Sequence, residues 1–327
     1  MHAAILTALL ALGVVPATRA AGSPRELGDV HWRDQLEPAL AESDLTGRPV
    51  LVLFQEIPGC ATCTSFGDGP LSHPLLVEAI ESAFVPLAIH NNRAGADAAV
   101  LARFREPAWN NPVMRFLDAA GRDVLPRRDG VYGTHEVAAR MVAALAAAKR
   151  PVPEYLQLVA DELNHGTATV TLGTHCFWDG EARLGGIAGV MRTRAVFAQG
   201  GEAVEVTYDP RRVAPSALAQ AADARVLPAG RTTPAPESDQ KRHLSFSTLR
   251  FVPLTSAQAA RVDAALAAGT DATRWLSPRQ RSLAAQVAVL LAREPRALED
   301  FTRPDRSEAL GDYQRRLALR LAQRARS

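Results

Sequence analysis

Apolar positions along this chain fall into two periods, and the switch between them marks out the elements. Pro49-Val50-Leu51-Val52-Leu53-Phe54 is a continuous apolar run of strand length, the pattern of a strand buried on both faces. A short periodic stretch at residues 35–40 precedes it. Ser72-His73-Pro74 then opens a helix through Ile80, with the serine as expected cap and the proline in the first turn. Residues 84–89 read as a strand, Ala96–Phe104 as a helix and Val113–Leu117 as a strand. Gly121 turns the chain into a further strand at Asp123-Val124, and Thr134–Ala147 is an alanine-rich amphipathic helix. Strands and helices interleaved in this way predict a compact α/β unit.

Arg150-Pro151-Val152-Pro153 marks a boundary. Beyond it the pattern predicts a helix over 154–163, a strand over 168–172, a helix opening at Cys176 and a strand over 202–208 that ends in Asp209-Pro210. A helix over 215–222 turns Leu218 inward, and the Pro-, Thr- and Gly-rich stretch 227–238 reads as a loop. The rest is helical: 258–267, then a helix capped by Ser277-Pro278 with Leu283, Val287, Leu290 and Leu291 on one face. A last helix carries Leu310, Tyr313, Leu317 and Leu321. These stripes are packing surface. The resulting division is 1–20, 30–150, 151–275 and a helical extension over 276–327.

Length and charge narrow the function. At 327 residues the chain has room for about two domains with cores of their own. With 22% charged residues and a net charge of +2, it lacks the basic excess of a nucleic-acid binder, so no nucleic-acid partner is expected. The apolar run at residues 3–15 is too short to span a bilayer, and Pro16-Ala17-Thr18-Arg19-Ala20 supplies small residues for cleavage. Residues 1–20 therefore read as a secretory signal, although their first residues hold no Lys or Arg; a buried N-terminal helix is the alternative. A periplasmic or otherwise exported location follows. There, thiols stay reduced only if an external thiol or a membrane electron donor supplies electrons.

Three cysteines carry the chemistry. Cys60-Ala61-Thr62-Cys63 follows a buried strand, where a helix should begin, and a helix N-terminus stabilises a thiolate. Cys63, one turn on, is placed to resolve a mixed disulfide on Cys60. A zinc reading needs two further ligands, and no second cysteine pair supplies them. No glycine-rich phosphate loop follows a strand, so neither metal nor organic cofactor is expected. Residues 30–150 resemble a thioredoxin-fold domain: Cys60-Ala61-Thr62-Cys63 matches that family's active-site position, and Asn111-Pro112-Val113 its cis-proline loop. The resemblance implies a cis Pro112 that shapes a groove for partner chains. Pro58-Gly59 stand where many relatives have a tryptophan.

The third cysteine lies in His175-Cys176-Phe177-Trp178-Asp179-Gly180-Glu181, followed in order by Gly189-Val190, Gly200-Gly201-Glu202 and Val206-Thr207-Tyr208-Asp209-Pro210. In this register residues 167–265 resemble peptide methionine sulfoxide reductase of the A type, an α+β (ferredoxin-like) domain. The resemblance implies Cys176 as nucleophile, Glu202 as the acid that protonates the sulfoxide oxygen, and Phe177 and Trp178 as the pocket for the S-methyl group. Attack leaves a sulfenic acid on Cys176, which Cys60 and Cys63 would reduce. The substrate would be methionine sulfoxide, free or in proteins. His175 and Asp179 replace the family's glycines, the loop before Glu202 is shorter, Phe197 stands where tyrosine is common, and Gln-Tyr-Arg-Ser becomes Gln240-Lys241-Arg242-His243. Two other readings stand beside this one. One is a thiol-disulfide oxidoreductase whose second half recruits clients; the other is a second half that is a degenerate, non-enzymatic binding module.

Overall fold

The computed structural model describes residues 24–109, 112–164, 166–301 and 309–325. The proposed leader and the Asn111–Pro112 peptide bond lie outside the described residues. No helix among the described residues is long and apolar enough to cross a membrane.

The first unit runs α1 (Leu36–Thr46), β1 (Val50–Gln55), α2 (Ala61–Asp68), α3 (Pro74–Ala83), β2 (Val85–His90), α4 (Ala96–Phe104), β3 (Val113–Leu117), α5 (Thr134–Ala147) and α6 (Glu154–Glu162). Its sheet has β1 in the centre, parallel to β2 and antiparallel to β3. Side chains alternate across a strand, so the unbroken apolar run of β1 feeds two cores at once. Leu51 and Leu53 pack with α3, α5 and α6, and Val50, Val52 and Phe54 pack with α1 and α4.

Two local expectations fail for identifiable reasons. Asp123-Val124 is not a strand; Asp123 makes a single bridge to Leu117. Its carboxylate is taken by the Arg115 guanidinium, which β3 carries into the interior and which also meets Glu106 at 2.9 Å. A buried cation needs both partners, and holding Arg115 ends the pairing after one bridge. Ser72 likewise does not cap α3. Its hydroxyl donates to the Gly67 carbonyl at 2.8 Å, and His73 takes the N-cap position.

The second unit runs β4 (Ala168–Gly173), α7 (Phe177–Gly185), β5 (Val190–Ala198), β6 (Gly201–Tyr208), α8 (Pro215–Ala221) and β7 (Arg225–Val226), with a short edge strand β8 (Thr232–Pro234). The strand order β7-β4-β6-β5-β8 and the β-α-β-β-α-β succession give a split, ferredoxin-like topology. β7 and β8 both fall in or beside the stretch read as a loop; each pairs for two or three residues only, too short to leave an alternation. The chain continues through α9 (Arg242–Ser245), α10 (Ser256–Ala267), α11 (Pro278–Arg293) and α12 (Leu310–Arg324).

Packing does not follow the divisions drawn from sequence. α6, placed after the boundary, buries Tyr155, Leu156 and Val159 in the first core. The C-terminal helices share a core with Phe251. Two carboxylates, Glu78 buried and Glu162 half-buried, tie the halves together. Glu78 of α3 accepts from the Arg279 N–H at the start of α11 (2.8 Å), and Glu162 of α6 accepts from the Ala257 N–H at the start of α10 (3.2 Å). The first turn of a helix has unpaired N–H groups, so each acid acts as a cap supplied from another element.

Burial pushes both carboxyls above the ordinary range, so the folded chain holds their protons more tightly than the unfolded chain does. A raised carboxyl contributes stability that is complete below its unfolded pKa and is lost as pH rises through the folded one. Thermal denaturation of wild type and Glu78→Gln should therefore diverge as pH rises above about 4, wild type losing ground; parallel curves would refute the assignment.

Candidate functional site

The dithiol sits where β1 hands over to α2. Cys60 is the N-cap of α2 in extended conformation, exposed; Cys63 is fully buried one turn on, and the two sulfurs are 3.6 Å apart. Their environments split them. The Cys63 N–H, with the Cys63 thiol and then Thr62, hydrogen-bonds to the Cys60 sulfur and holds its pKa below the ordinary thiol value. Burial, reinforced by the hydrogen bond to Cys60, pushes the Cys63 thiol up to about 11. The exposed sulfur is thus the more acidic of the two, and Cys63 keeps its proton beneath it.

The loop that presents Cys60 is fastened by polar groups the sequence reading missed. The Gly59 N–H donates to Glu26 Oε1 at 2.8 Å, and Gln55 Nε2 donates to the carbonyls of Glu26 (2.8 Å) and Cys63 (3.1 Å). Asn92 holds both the N–H and the carbonyl of Ile57 at 3.3 and 3.2 Å. Gly59 is required by close approach: a Cβ there would lie 2.4 Å from the Glu56 carbonyl oxygen and 2.6 Å from Cys63 Cβ. Gln55 was legible as the one polar residue closing an apolar strand; Glu26 and Asn92 are remote in sequence and leave no pattern. The cis peptide of this loop precedes Pro58. Pro112 is buried beside β3.

The third cysteine occupies the same kind of position in the second unit. β4 ends at Gly173, and Cys176, half-buried, is the N-cap of α7. Glu202 opens the inner strand β6, and its Oε2 accepts from the Phe177 N–H at 2.8 Å, one peptide from Cys176. The Thr174 N–H donates to the Glu202 carbonyl at 3.0 Å, so both ends of Glu202 grip the turn that carries the thiol. Phe177 meets Trp178 and Phe197 edge-on, with centroids 5.9 and 5.6 Å apart. The Arg242 guanidinium lies 4.4 Å from the Trp178 centroid and 4.1 Å from that of Phe246, capping the aromatic wall with a cation. Gln240 and Lys241 are spent on structure. Gln240 bonds the Ala195 N–H and carbonyl (3.0 and 2.8 Å), and Lys241 is paired with buried Glu181 and the Thr193 carbonyl.

The structure therefore assembles two sets. Cys60 and Cys63 stand together with Glu56, while Cys176, Glu202, Phe177 and Trp178 stand together in the other unit. Among the described residues, the chelating atoms gathered within 4.8 Å of one another at the dithiol are those of Glu56, Cys60 and Cys63, without Cys176.

A family profile described as thioredoxin-like matches residues 31–119, the span that holds β1, the Cys60/Cys63 turn and the three-stranded sheet. Residues 31–119 are a thioredoxin-like domain. A solved structure titled DsbH oxidoreductase is similar to this chain at 18% identity, over 37% of this chain and 85% of its own, with a TM-score of 0.30. No curated protein matches. The family match stops short of residues 167–265, so the sulfoxide reductase resemblance rests on its sequence landmarks and on the local geometry around Cys176. The thioredoxin-like domain with its adjacent sulfur pair fits a thiol oxidoreductase.

At pH 7 iodoacetamide should alkylate Cys60 about 100-fold or more faster than Cys63, from the thiolate fractions of a lowered thiol and one near 11, before access is counted. Peptide mapping after a short pulse reads this directly; equal labelling would overturn the division of roles.

Proposed function

We propose that the chain is an exported thiol oxidoreductase that reduces methionine sulfoxide at Cys176 and is returned to the reduced state by Cys60 and Cys63. The observation that carries this reading is the Glu202 carboxyl on the peptide beside Cys176, with an aromatic wall against it. An acid within reach of a nucleophilic sulfur is what sulfoxide chemistry needs, because the oxygen leaves the substrate sulfur only as it gains a proton.

The Cys176 thiol takes the oxygen of the sulfoxide, giving a sulfenic acid on Cys176 and the free thioether. The Cys60 thiolate attacks the Cys176 sulfur, a Cys60–Cys176 disulfide forms, and the hydroxyl departs as water with one proton. Cys63, 3.6 Å from Cys60, attacks the Cys60 sulfur; Cys176 leaves as a thiol and a Cys60–Cys63 disulfide remains. An external dithiol, or a donor at a membrane, then returns two electrons and two protons. Cys176 does not join the cluster at the dithiol, so the middle step requires the units to approach or a second molecule to offer its Cys60.

That separation also favours a second reading, in which the first unit alone exchanges disulfides with client proteins that the second unit holds. Assay of methionine sulfoxide reduction separates them. The proposal expects Cys176→Ser to abolish it and Glu202→Gln to slow it by about 10²-fold or more, the usual scale of one general acid. Sulfoxide reduction that survives Cys176→Ser would end the proposal. Disulfide reduction unaffected by Cys176→Ser, with no sulfoxide activity in wild type, would establish the second reading.

A further inference from the structure

The dithiol has a third donor beside it. Glu56 follows the last residue of β1, is half-buried, and puts a carboxylate oxygen within 4.8 Å of both sulfurs, which are 3.6 Å apart. Gly59 lets the loop between Glu56 and Cys60 fold onto Cys63, so the three donors converge because the backbone is pinned. Among the described residues no other group of three His, Cys, Asp or Glu side chains gathers this closely. Sequence spacing had removed zinc from consideration for want of further ligands, but Glu56 lies outside any cysteine spacing.

We infer that the reduced dithiol and Glu56 bind one zinc-like divalent ion, the fourth position being left to water or to a client thiolate. Zinc–thiolate bonds are about 2.3 Å long, so two sulfurs on one tetrahedron stand about 3.8 Å apart, close to the separation found here. A linear two-thiolate ion would hold them about 4.6 Å apart at the same bond length, and it would leave the carboxylate idle. Magnesium and calcium call for all-oxygen sets. Two thiolates and a carboxylate carry three negative charges against two positive, and the residual charge sits at the N-terminus of α2, the end of a helix that favours it.

Capture of the ion forms two metal–sulfur bonds and releases to solvent the protons that the two thiols hold, with no change of oxidation state. Both sulfurs are then engaged, and neither attacks a disulfide until a chelator or stronger ligand removes the ion. Cys60 is exposed, so an ion enters without unfolding. The inference concerns the dithiol alone and does not depend on sulfoxide chemistry at Cys176.

The test uses the full chain, reduced under anaerobic conditions, with Co²⁺ as the optical probe and Zn²⁺ as competitor. One Co²⁺ per chain should bind with a thiolate-to-cobalt charge-transfer band that Zn²⁺ erases. The band should vanish in Cys60→Ser, at an exposed position, and in Cys63→Ser. Glu56→Gln should weaken Zn²⁺ binding tenfold or more, and an unchanged melting midpoint in chelator separates ligand loss from misfolding. Saturating Zn²⁺ should stop disulfide exchange, and chelator should restore it. Absence of the band, its survival in either serine variant, or Zn²⁺ bound by Glu56→Gln as tightly as by the parent would overturn the inference.

Discussion

The chemistry of this molecule rests on the hydrogen bonds that a helix start donates to one sulfur while its neighbour is kept from water. Cys60 receives the Cys63 N–H and stands in solvent; Cys63 lies under it with its proton held. The split is made by position, since two cysteines three residues apart are otherwise equivalent. It persists only while the turn stays in place, and the turn is held from three sides by Glu26, Gln55 and Asn92. The strand beneath supplies the rigidity. β1 is buried on both faces between two cores, so its end cannot shift without disturbing both.

The second unit repeats the device with different partners. Cys176 also caps a helix that follows a strand, but here a carboxylate reaches across from β6 to the first N–H of that helix. The two N-caps differ in their company: one presents a sulfur beside a carboxyl and aromatic rings, the other a sulfur beside a second sulfur. α6 and α10 to α12 bind the halves into one packing arrangement, with Glu78 and Glu162 capping helices across the join.

How much of this the sequence disclosed depends on whether a feature leaves a local pattern. β1, α4, β3 and α5 were legible because an unbroken apolar run or a helical stripe marks them. The Cys60/Cys63 turn was legible because a strand precedes it. Asp123 was misread because its role is set by Arg115, eight residues away and on the inner side of β3. Ser72 was misread because its hydroxyl is turned to donate to the Gly67 carbonyl instead of accepting from an N–H of the helix it precedes. That α6 packs in the first core was not legible, because proline-rich linkers mark a change of direction, while Tyr155 and Leu156 report only that some core receives them. Glu56, Glu26 and Asn92 were invisible for a common reason: each meets the dithiol through the tertiary fold.

The proposed relay between the units is tested most directly by arresting it. A Cys63→Ser chain cannot resolve the intermediate, so exposure to methionine sulfoxide followed by peptide mapping in a mass spectrometer shows where the oxidising equivalents come to rest. The account predicts a disulfide between Cys60 and Cys176. Cys176 found as an unlinked sulfenic or sulfinic acid, or left wholly reduced, would contradict it.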